Sequence, residues 1–274
     1  INSYVAGQTP NPCIKCNQML KFEALLKKAI GLDADFLATG HYARIIPDLT
    51  NGFKLLKGID ETKDQSYFLF TMTKAQLGRC LFPVGGLTKN EVRAYARRLG
   101  LKTSDKKESQ EICFVEEPNY AQFLSAHVIA QPGEIVDSGG MALGRHRGLF
   151  HYTGGQRKGL GLSGGPYYVI GLDTKANTLM VGREGDLFSG GLAAYDVNWI
   201  NSGAGARVEG GEAIDAVVKI RYRHDGAEAV IKKSGLFIEV SFKTPQKAVT
   251  PGQAVVFYSG DEVLGGGWIE RAIR

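Results

Sequence analysis

Asp35-Phe36-Leu37-Ala38-Thr39-Gly40-His41-Tyr42 decides the fold of the first part of this chain. Its apolar centre predicts a short buried strand that ends in a Gly-His turn. The preceding residues 16–30 carry apolar side chains at helical spacing and stop at a glycine, so helix and strand together predict half of a βαβ unit. Ligands bind parallel sheets at the carboxyl ends of their strands, so Gly40 is a candidate for close approach to a nucleotide. An ordinary turn glycine is the alternative.

Cysteines mark the second feature, in Thr9-Pro10-Asn11-Pro12-Cys13-Ile14-Lys15-Cys16-Asn17 and in Ser109-Gln110-Glu111-Ile112-Cys113-Phe114. The two prolines favour extended backbone, so a helix is expected to begin near Cys16. A thiol in a first helical turn ionises easily, because the helix N-terminus stabilises the thiolate. Cys113 stands in a polar stretch of mixed charge, 102–117, which we expect to be a loop that can move this thiol. Cys16 and Cys113 are therefore candidate nucleophiles.

The spacing of Cys13 and Cys16 leaves other interpretations open. A Cys-x-x-Cys pair is half of a common zinc pattern, and Cys80 and Cys113 could complete it. Only one such pair is present. Plain buried cysteines are a further alternative.

Composition limits the class of protein. The chain has 274 residues, which suggests two or three domains, and four cysteines, too few for a disulfide framework. No apolar run is long enough for a membrane span and nothing indicates export, so a reducing, cytoplasmic location is expected. The net charge of +5 permits a polyanionic partner without requiring one.

The remaining pattern of the first part predicts one strand and two helices. A strand is expected over 53–57, and a helix over 63–77 with Asp64 as a plausible cap. Lys63, Asp64 and Gln65 form a polar cluster at that helix start, suited to phosphate or base contact, or simply to capping. A capping box at Thr88 begins a second helix, whose apolar stripe (Val92, Tyr95, Ala96, Leu99) should face the core.

The composition of the sequence changes after residue 118. A helix is expected over 119–130, followed by short strands between glycine-rich turns. Basic residues among glycines and aromatic rings, 144–148 and 155–159, suit an RNA surface or an ordinary solvated loop. From about residue 193 the pattern is all-β: Val218, Ile220 and Tyr222 alternate with cations, and 255–264 predicts a hairpin, which together suggest a small barrel. The predicted domains are 1–118, 119–192 and 193–274.

Several motifs in order carry a resemblance to a known family: Thr9-Pro10-Asn11-Pro12, Cys16-Asn17, Ala38-Thr39-Gly40-His41-Tyr42, Lys63-Asp64-Gln65-Ser66-Tyr67-Phe68, Leu81-Phe82-Pro83-Val84-Gly85, Ile112-Cys113-Phe114, Gly155-Gln156-Arg157-Lys158-Gly159-Leu160-Gly161, Arg221-Tyr222-Arg223 and Thr250-Pro251-Gly252-Gln253. From end to end the chain resembles the bacterial tRNA-specific 2-thiouridylase family. The resemblance implies an α/β plus β fold: the C-terminal part of an ATP-pyrophosphatase-like, Rossmann-like domain, a small central mostly-β domain and a C-terminal β-barrel.

The resemblance also implies a reaction. ATP, with Mg as its usual counterion, adenylates the C2 oxygen of the wobble uridine, and sulfur from a cysteine persulfide then replaces that oxygen. The implied partners are tRNAs for lysine, glutamate and glutamine and a sulfur-donor protein of a cysteine desulfurase relay. No tightly bound metal and no membrane partner are expected.

Residue roles carry over by motif. The resemblance makes Cys113 the persulfide carrier, Cys16 the second catalytic cysteine and Gly40 an ATP contact. Positions matching contacts to tRNA or to the target base are Asn11, Pro12, Cys13, His41, Lys63, Asp64, Gln65, Arg221, Tyr222 and Gln253.

Two departures from the family pattern matter. No Ser-Gly-Gly-Xaa-Asp-Ser phosphate loop is present, which leads us to expect an N-terminally incomplete enzyme that does not adenylate tRNA by itself. Cys13 stands where many members have Asp, and a thiol is the weaker hydrogen-bond partner, so we expect Cys13 to be dispensable. The alternatives are a non-catalytic tRNA-binding module and a Cys-ligated metal-binding protein.

Overall fold

A computed structural model describes residues 7–102, 104 and 129–274. Cys113, the polar stretch around it and most of the helix expected over 119–130 lie outside the described residues. The first unit contains strands β1 (Leu37–Ala38), β2 (Ala43–Asp48), β3 (Gly52–Lys57) and β4 (Cys80–Leu81). β1 and β4 pair in parallel, as the helix-then-strand pattern predicted, and β2 and β3 form an antiparallel hairpin.

The first helix, α1, runs over 12–30 in three segments: α-helical Pro12–Lys15, π-helical Cys16–Leu25 and α-helical Leu26–Ile30. It begins four residues earlier than predicted, since Asn11 caps it by accepting a hydrogen bond from the Cys13 amide at 3.2 Å. Pro12 occupies the first helical position, where its missing N–H costs nothing. Cys13 is therefore in the first turn, and Cys16 begins the next.

The helix expected over 63–77 is wrong as a single element. A 3₁₀ turn at Ser66–Leu69 and a separate helix, α2 (Lys74–Leu77), replace it. Asp64 turns its carboxylate inward and accepts from the Gly58 and Ser66 amides, which holds the chain in a turn. α3 (Lys89–Arg98) has the predicted capping box at Thr88, but Tyr95 and Leu99 of its apolar stripe are exposed.

The central unit is mostly β, as predicted. Its four strands are β5 (Gly133–Val136), β6 (Ala142–His146), β7 (Tyr168–Asp173) and β8 (Thr178–Gly182), in the spatial order β6-β5-β8-β7. 3₁₀ turns lie at Leu149–His151 and Glu184–Leu187. Ile135, Val169, Leu179 and Val181 are fully buried at its centre, beneath the glycine-rich loop of residues 154–165.

The last unit is a closed barrel of six strands: β9 (Phe188–Trp199), β10 (Ile214–Lys219), β11 (Ala227–Ser234), β12 (Phe237–Lys247), β13 (Ala254–Ser259) and β14 (Glu262–Ile273). The order is β13-β10-β11-β12-β9-β14, and β14 closes on β13. A helix, α4 (Ser202–Glu209), interrupts the region expected to be all-β. β10 ends at Lys219, so Tyr222 lies in the following turn and not in the predicted strand alternation.

The first unit and the barrel share one core. Ile14 and Phe22 of α1 belong to the same buried cluster as Tyr258 and Trp268 of the barrel. β3 also pairs with β14, through Leu56 and Glu262, so the first unit extends the barrel sheet. β9 crosses the expected domain boundary between residues 192 and 193. Among the described residues, no helix combines the length and apolar character that a bilayer crossing requires.

Candidate active site

Two free thiols lie at the start of α1. Cys13 is exposed and Cys16 is partly buried. Because the helix begins at Pro12, its positive end is closest to Cys13, while the Cys16 amide already donates to carbonyls of the preceding turn. The two thiols therefore differ in position: Cys13 lies in the first turn, at the positive end of the helix, and Cys16 lies one turn further along.

His41 is the centre of a buried polar network beside these thiols. Its Nδ1 lies 2.8 Å from Thr39 Oγ1, and its Nε2 lies 3.3 Å from both Asn17 Oδ1 and Lys21 Nζ. Asn17 donates from its other atom, Nδ2, to the carbonyl of Phe68 at 3.2 Å. The network joins the turn after β1, the middle of α1 and the 3₁₀ turn before α2.

His41 is only 6% exposed and packs against the rings of Phe22 and Phe82. Burial, followed by the nearby charge of Lys21, lowers the pKa of His41 to about 4. The imidazole is therefore neutral at physiological pH. A buried, neutral ring suits hydrogen bonding that positions the network, and gives no cation for a phosphate.

Barrel residues reach the same region. The ring of Tyr222 packs against the ring of Phe68, with their centroids 4.5 Å apart. Phe68 is the residue that follows Tyr67 in the chain. Gln253 donates to the carbonyl of Thr9 at 2.7 Å, while the Thr9 amide donates to Pro251. These contacts fix the residues just before Asn11 against the barrel, so Asn11, Pro12, Cys13, Cys16, Tyr222 and Gln253 come together around the N-terminus of α1.

Other predicted contact residues have structural partners of their own. Both oxygens of the buried Asp64 accept hydrogen bonds from its own turn, and Gln65 Oε1 accepts from the Tyr42 amide at 3.0 Å. Arg221 is exposed and donates to the carbonyl of Lys247. Lys63 is partly exposed on the loop between Asp60 and Asp64. The structure thus gives Asp64 and Gln65 positioning contacts and leaves Arg221 on the surface.

Cys80 is a buried structural cysteine. It is 2% exposed in β4, and burial raises the pKa of its thiol to about 11, which makes it unreactive. Within residues 7–102, 104 and 129–274, no group of three His, Cys, Asp or Glu side chains is arranged to hold a metal ion. Cys113 is outside that part of the chain.

Asn17 and Lys21 were missed as site residues. They stand four residues apart on α1, a spacing that places them on one helix face. The sequence shows that spacing. It does not show their partner, because His41 lies 20 residues after Lys21, beyond an intervening loop.

Gly40 follows β1 and is exposed, with no atom within 4 Å of where a side chain would begin. The edge of a nucleotide could occupy this open space, because the Lys21 side chain, which contacts the ring of His41, brings a positive charge close to it. The same open space means that the site does not demand glycine on steric grounds alone.

Three family models match the chain in order. The tRNA methyl transferase HUP domain matches residues 1–117, the tRNA methyl transferase PRC-barrel domain matches 121–183, and the aminomethyltransferase β-barrel domain matches 189–269. The chain is thus a three-domain protein with a HUP domain, a PRC-barrel domain and a C-terminal barrel.

Comparison with curated proteins identifies the family within this three-domain class. The chain is 50% identical to the tRNA-specific 2-thiouridylase MnmA of Geotalea uraniireducens, over 100% of this chain and 72% of that protein. It is also 50% identical to the MnmA proteins of Geobacter metallireducens (100% of this chain, 74% of that protein) and Heliobacterium modesticaldum (98% and 70%). The chain belongs to the tRNA-specific 2-thiouridylase family, as the ordered motifs indicated.

Proposed function

We propose that this protein is an ATP-dependent tRNA-uridine 2-sulfurtransferase. The observation that carries the proposal is the convergence of two free thiols, the Gly40-His41 turn and the barrel residues Tyr222 and Gln253 around the N-terminus of α1. Membership of the thiouridylase family supports the same activity. A non-catalytic RNA-binding module would not need free thiols at the meeting point of two domains.

The tRNA presents its wobble uridine to the start of α1. Asn11 uses Oδ1 for the helix cap, which leaves its amide Nδ2 to donate to a base. Pro12 and Cys13 form the rim of the same turn. Tyr222 lies over Phe68 as part of an aromatic wall, and the target base has to leave its stack to reach the thiols.

Sulfur transfer uses a thiol pair. Cys113 carries the persulfide sulfur, Cys16 is the second catalytic cysteine that assists its release, and Cys13 is dispensable. Cys16 is held in place by its neighbour Asn17, whose side chain bonds both His41 and the Phe68 carbonyl. His41 acts as a positioning residue in this arrangement, through its neutral ring.

ATP supplies the adenylyl group that turns the uridine C2 oxygen into a leaving group, with Mg as its counterion. Gly40 lies next to the nucleotide, and the ammonium of Lys21 is the nearby positive charge. Lys63, Asp64, Gln65 and Arg221 complete the proposed tRNA-contacting set, with Asp64 and Gln65 acting through the backbone that they hold. The proposed location is cytoplasmic, because a reaction of free thiols requires a reducing compartment.

A single-turnover assay tests this function. The purified chain is incubated with ATP, a persulfide donor and tRNA for lysine, glutamate or glutamine, and 2-thiouridine is measured by mass spectrometry of nucleosides. We expect Cys16→Ser and Cys113→Ser to abolish the product, while Cys13→Ser and Cys80→Ser retain it.

The outcomes separate the competing functions. If the wild type binds tRNA normally but makes no 2-thiouridine, the result would support the alternative of a non-catalytic tRNA-binding module. Near-stoichiometric metal on Cys13, Cys16 and Cys113 in anaerobically purified protein would favour the metal-binding alternative, and a metal-free active protein would exclude it. Methylated instead of thiolated uridine would favour the activity suggested by the family-model names.

A further inference from the structure

The glycine-rich loop of the central unit surrounds a second candidate site, which contains neither Cys13 nor Cys16. A cavity of about 380 Å³ opens between residues 157–162 and 165–167. Its lining combines one cation with a glycine-rich backbone and an aromatic ring: Arg157, Gly159, Leu160, Gly161, Leu162, Gly165, Pro166 and Tyr167.

The backbone of this loop contains several glycines with positive φ. Gly159, Gly161 and Gly164 have φ of +78°, +67° and +91°, and the residues between them are not left-handed. Because a glycine has no side chain, an anion can approach the backbone N–H groups of this loop closely. No described residue accepts a backbone hydrogen bond from these three glycine amides.

The loop is held rigid from below. Leu160 is 7% exposed in the core of the central unit, and Gln156 bonds the Lys158 carbonyl and the Thr153 amide. Outside the cavity, the Arg183 guanidinium lies 4.3 Å from the Tyr167 ring centroid and donates to the Gly164 carbonyl at 3.2 Å, which ties residues 164 to 167 to the end of β8. The cavity is therefore formed before any ligand arrives.

An ion pair links the region of the cavity to the barrel. Lys247 pairs with Glu184 at 2.5 Å, and Lys247, followed by Arg157, holds the pKa of Glu184 below its usual range. Glu184 is thus neutralised by Lys247, while the side chain of Arg157 is exposed. The Lys247 carbonyl in turn accepts from Arg221, one of the proposed tRNA contacts.

Close packing fixes the two units in this relation. A side chain at Gly154 would lie 2.9 Å from Thr250 Oγ1, and one at Gly155 would lie 2.8 Å from the side chain of Ala248. Ala248 also donates its amide to the Leu187 carbonyl. Arg157 and Arg221 consequently lie on two units that pack tightly against each other.

We propose that the cavity at Arg157 is a phosphate-binding subsite that holds one backbone phosphate of the tRNA. The proposal rests on the proposed function, since it takes the same RNA as ligand. Arg157 supplies the charge, and the glycine amides supply the directional donors.

The salt dependence of tRNA binding tests this subsite. For the full chain, log Kd is measured against log salt concentration for the wild type, Arg157→Ala, Arg157→Lys and, as a matched control, Lys232→Ala in the exposed part of β11. We expect Arg157→Ala to weaken binding by about tenfold and to reduce the slope by about one, since one phosphate contact is lost. Arg157→Lys should keep the slope, and Lys232→Ala should change neither quantity. Equal slopes for wild type and Arg157→Ala would overturn the proposal.

A second measurement needs no variant. Phenylglyoxal labelling of the wild type is followed at Arg157 by peptide mapping, without ligand, with tRNA and with inorganic phosphate. Protection by tRNA at low concentrations supports the subsite. Protection by inorganic phosphate alone would make it a free-anion site, and labelling that tRNA leaves unchanged would also overturn it. A wild type that binds tRNA and protects Arg157 but makes no 2-thiouridine would refute only the proposed function.

Discussion

At the scale of single residues, burial decides which side chains do chemistry and which hold others in place. Cys80 and Cys16 are both thiols, but Cys80 has a pKa of about 11 in β4 while Cys16 is partly open to solvent. His41 matches a tRNA contact by motif, yet its ring is enclosed by Phe22 and Phe82. His41 would therefore affect RNA binding indirectly, by positioning Asn17 and the turn after β1.

The depressed pKa of His41 predicts a pH-dependent stability. Between about pH 4 and 6.5 the unfolded state binds the proton and the folded state does not, so stability falls as the pH decreases through this window. From pH 7 to pH 5, His41 should remove about 2 kcal/mol of the free energy of unfolding. Urea unfolding of the wild type and of His41→Asn at the two pH values measures this: the variant should lose less stability on acidification. Identical losses in the two proteins would refute the assignment.

At the scale of elements, the start of α1 illustrates what the sequence could reveal. Asn11-Pro12 is a favoured helix start, a cap followed by proline at the first position, but the same prolines also favour extended backbone, and the latter interpretation placed the start four residues late. The helix over 63–77 failed because Asp64 has a partner in Gly58, outside the pattern of any helix. α4 was missed because its sequence is rich in glycine. Gly205 is required there because a side chain would lie 2.7 Å from Trp199.

The cap of α1 can be separated from base recognition. Asp is as good an N-cap as Asn but has no N–H to donate, so Asn11→Asp should leave stability within about 0.5 kcal/mol of the wild type. Asn11→Ala removes the cap and should cost about 1 kcal/mol. Both variants should thiolate tRNA poorly if the amide contacts the base. Full activity of a stable Asn11→Asp protein would show that Asn11 only caps the helix.

The turn after β4 provides a matched pair of glycines. At Gly85 a side-chain carbon would lie 1.7 Å from the Ala43 carbonyl oxygen in β2, whereas at Gly86 it would meet nothing within 4 Å. Gly85→Ala must push two backbones apart and should cost more than about 3 kcal/mol, while Gly86→Ala should stay within about 0.5 kcal/mol. Denaturant midpoints of the two variants decide the point. Similar midpoints would mean that the turn does not pack against β2 as described.

At the scale of the whole molecule, the predicted classes of domain are confirmed, but the contacts between them had no local signal. Alternating strands and turn residues were enough to predict a central β-unit and a barrel. Nothing near Phe70 or Met72 in sequence indicates that Asn198 would donate to both of their carbonyls, at 2.6 and 3.1 Å. The candidate site lies at such a junction, so its thiols and glycine turn were predictable by motif, whereas the His41 network was not.

A shared core predicts joint unfolding. Both tryptophans, Trp199 and Trp268, lie in barrel strands and report on the barrel, while hydrogen exchange at Ile14 and Phe22 reports on α1. We expect tryptophan fluorescence and exchange of these amides to give the same free energy of unfolding. If the α1 amides exchanged at a much lower free energy than the fluorescence transition, the two units would not form one cooperative core.

The pairing of β3 with β14 has a consequence during synthesis on the ribosome. About 200 residues separate Leu56 from its partner Glu262. At elongation rates of about 5–20 residues per second, about 10–40 s pass between the synthesis of β3 and the synthesis of its partner strand β14. During that interval its edge is unpaired and open to the strands of other nascent chains. The twelve-residue strand β14 therefore both closes the barrel and ends the exposure of a hairpin synthesised about 200 residues earlier.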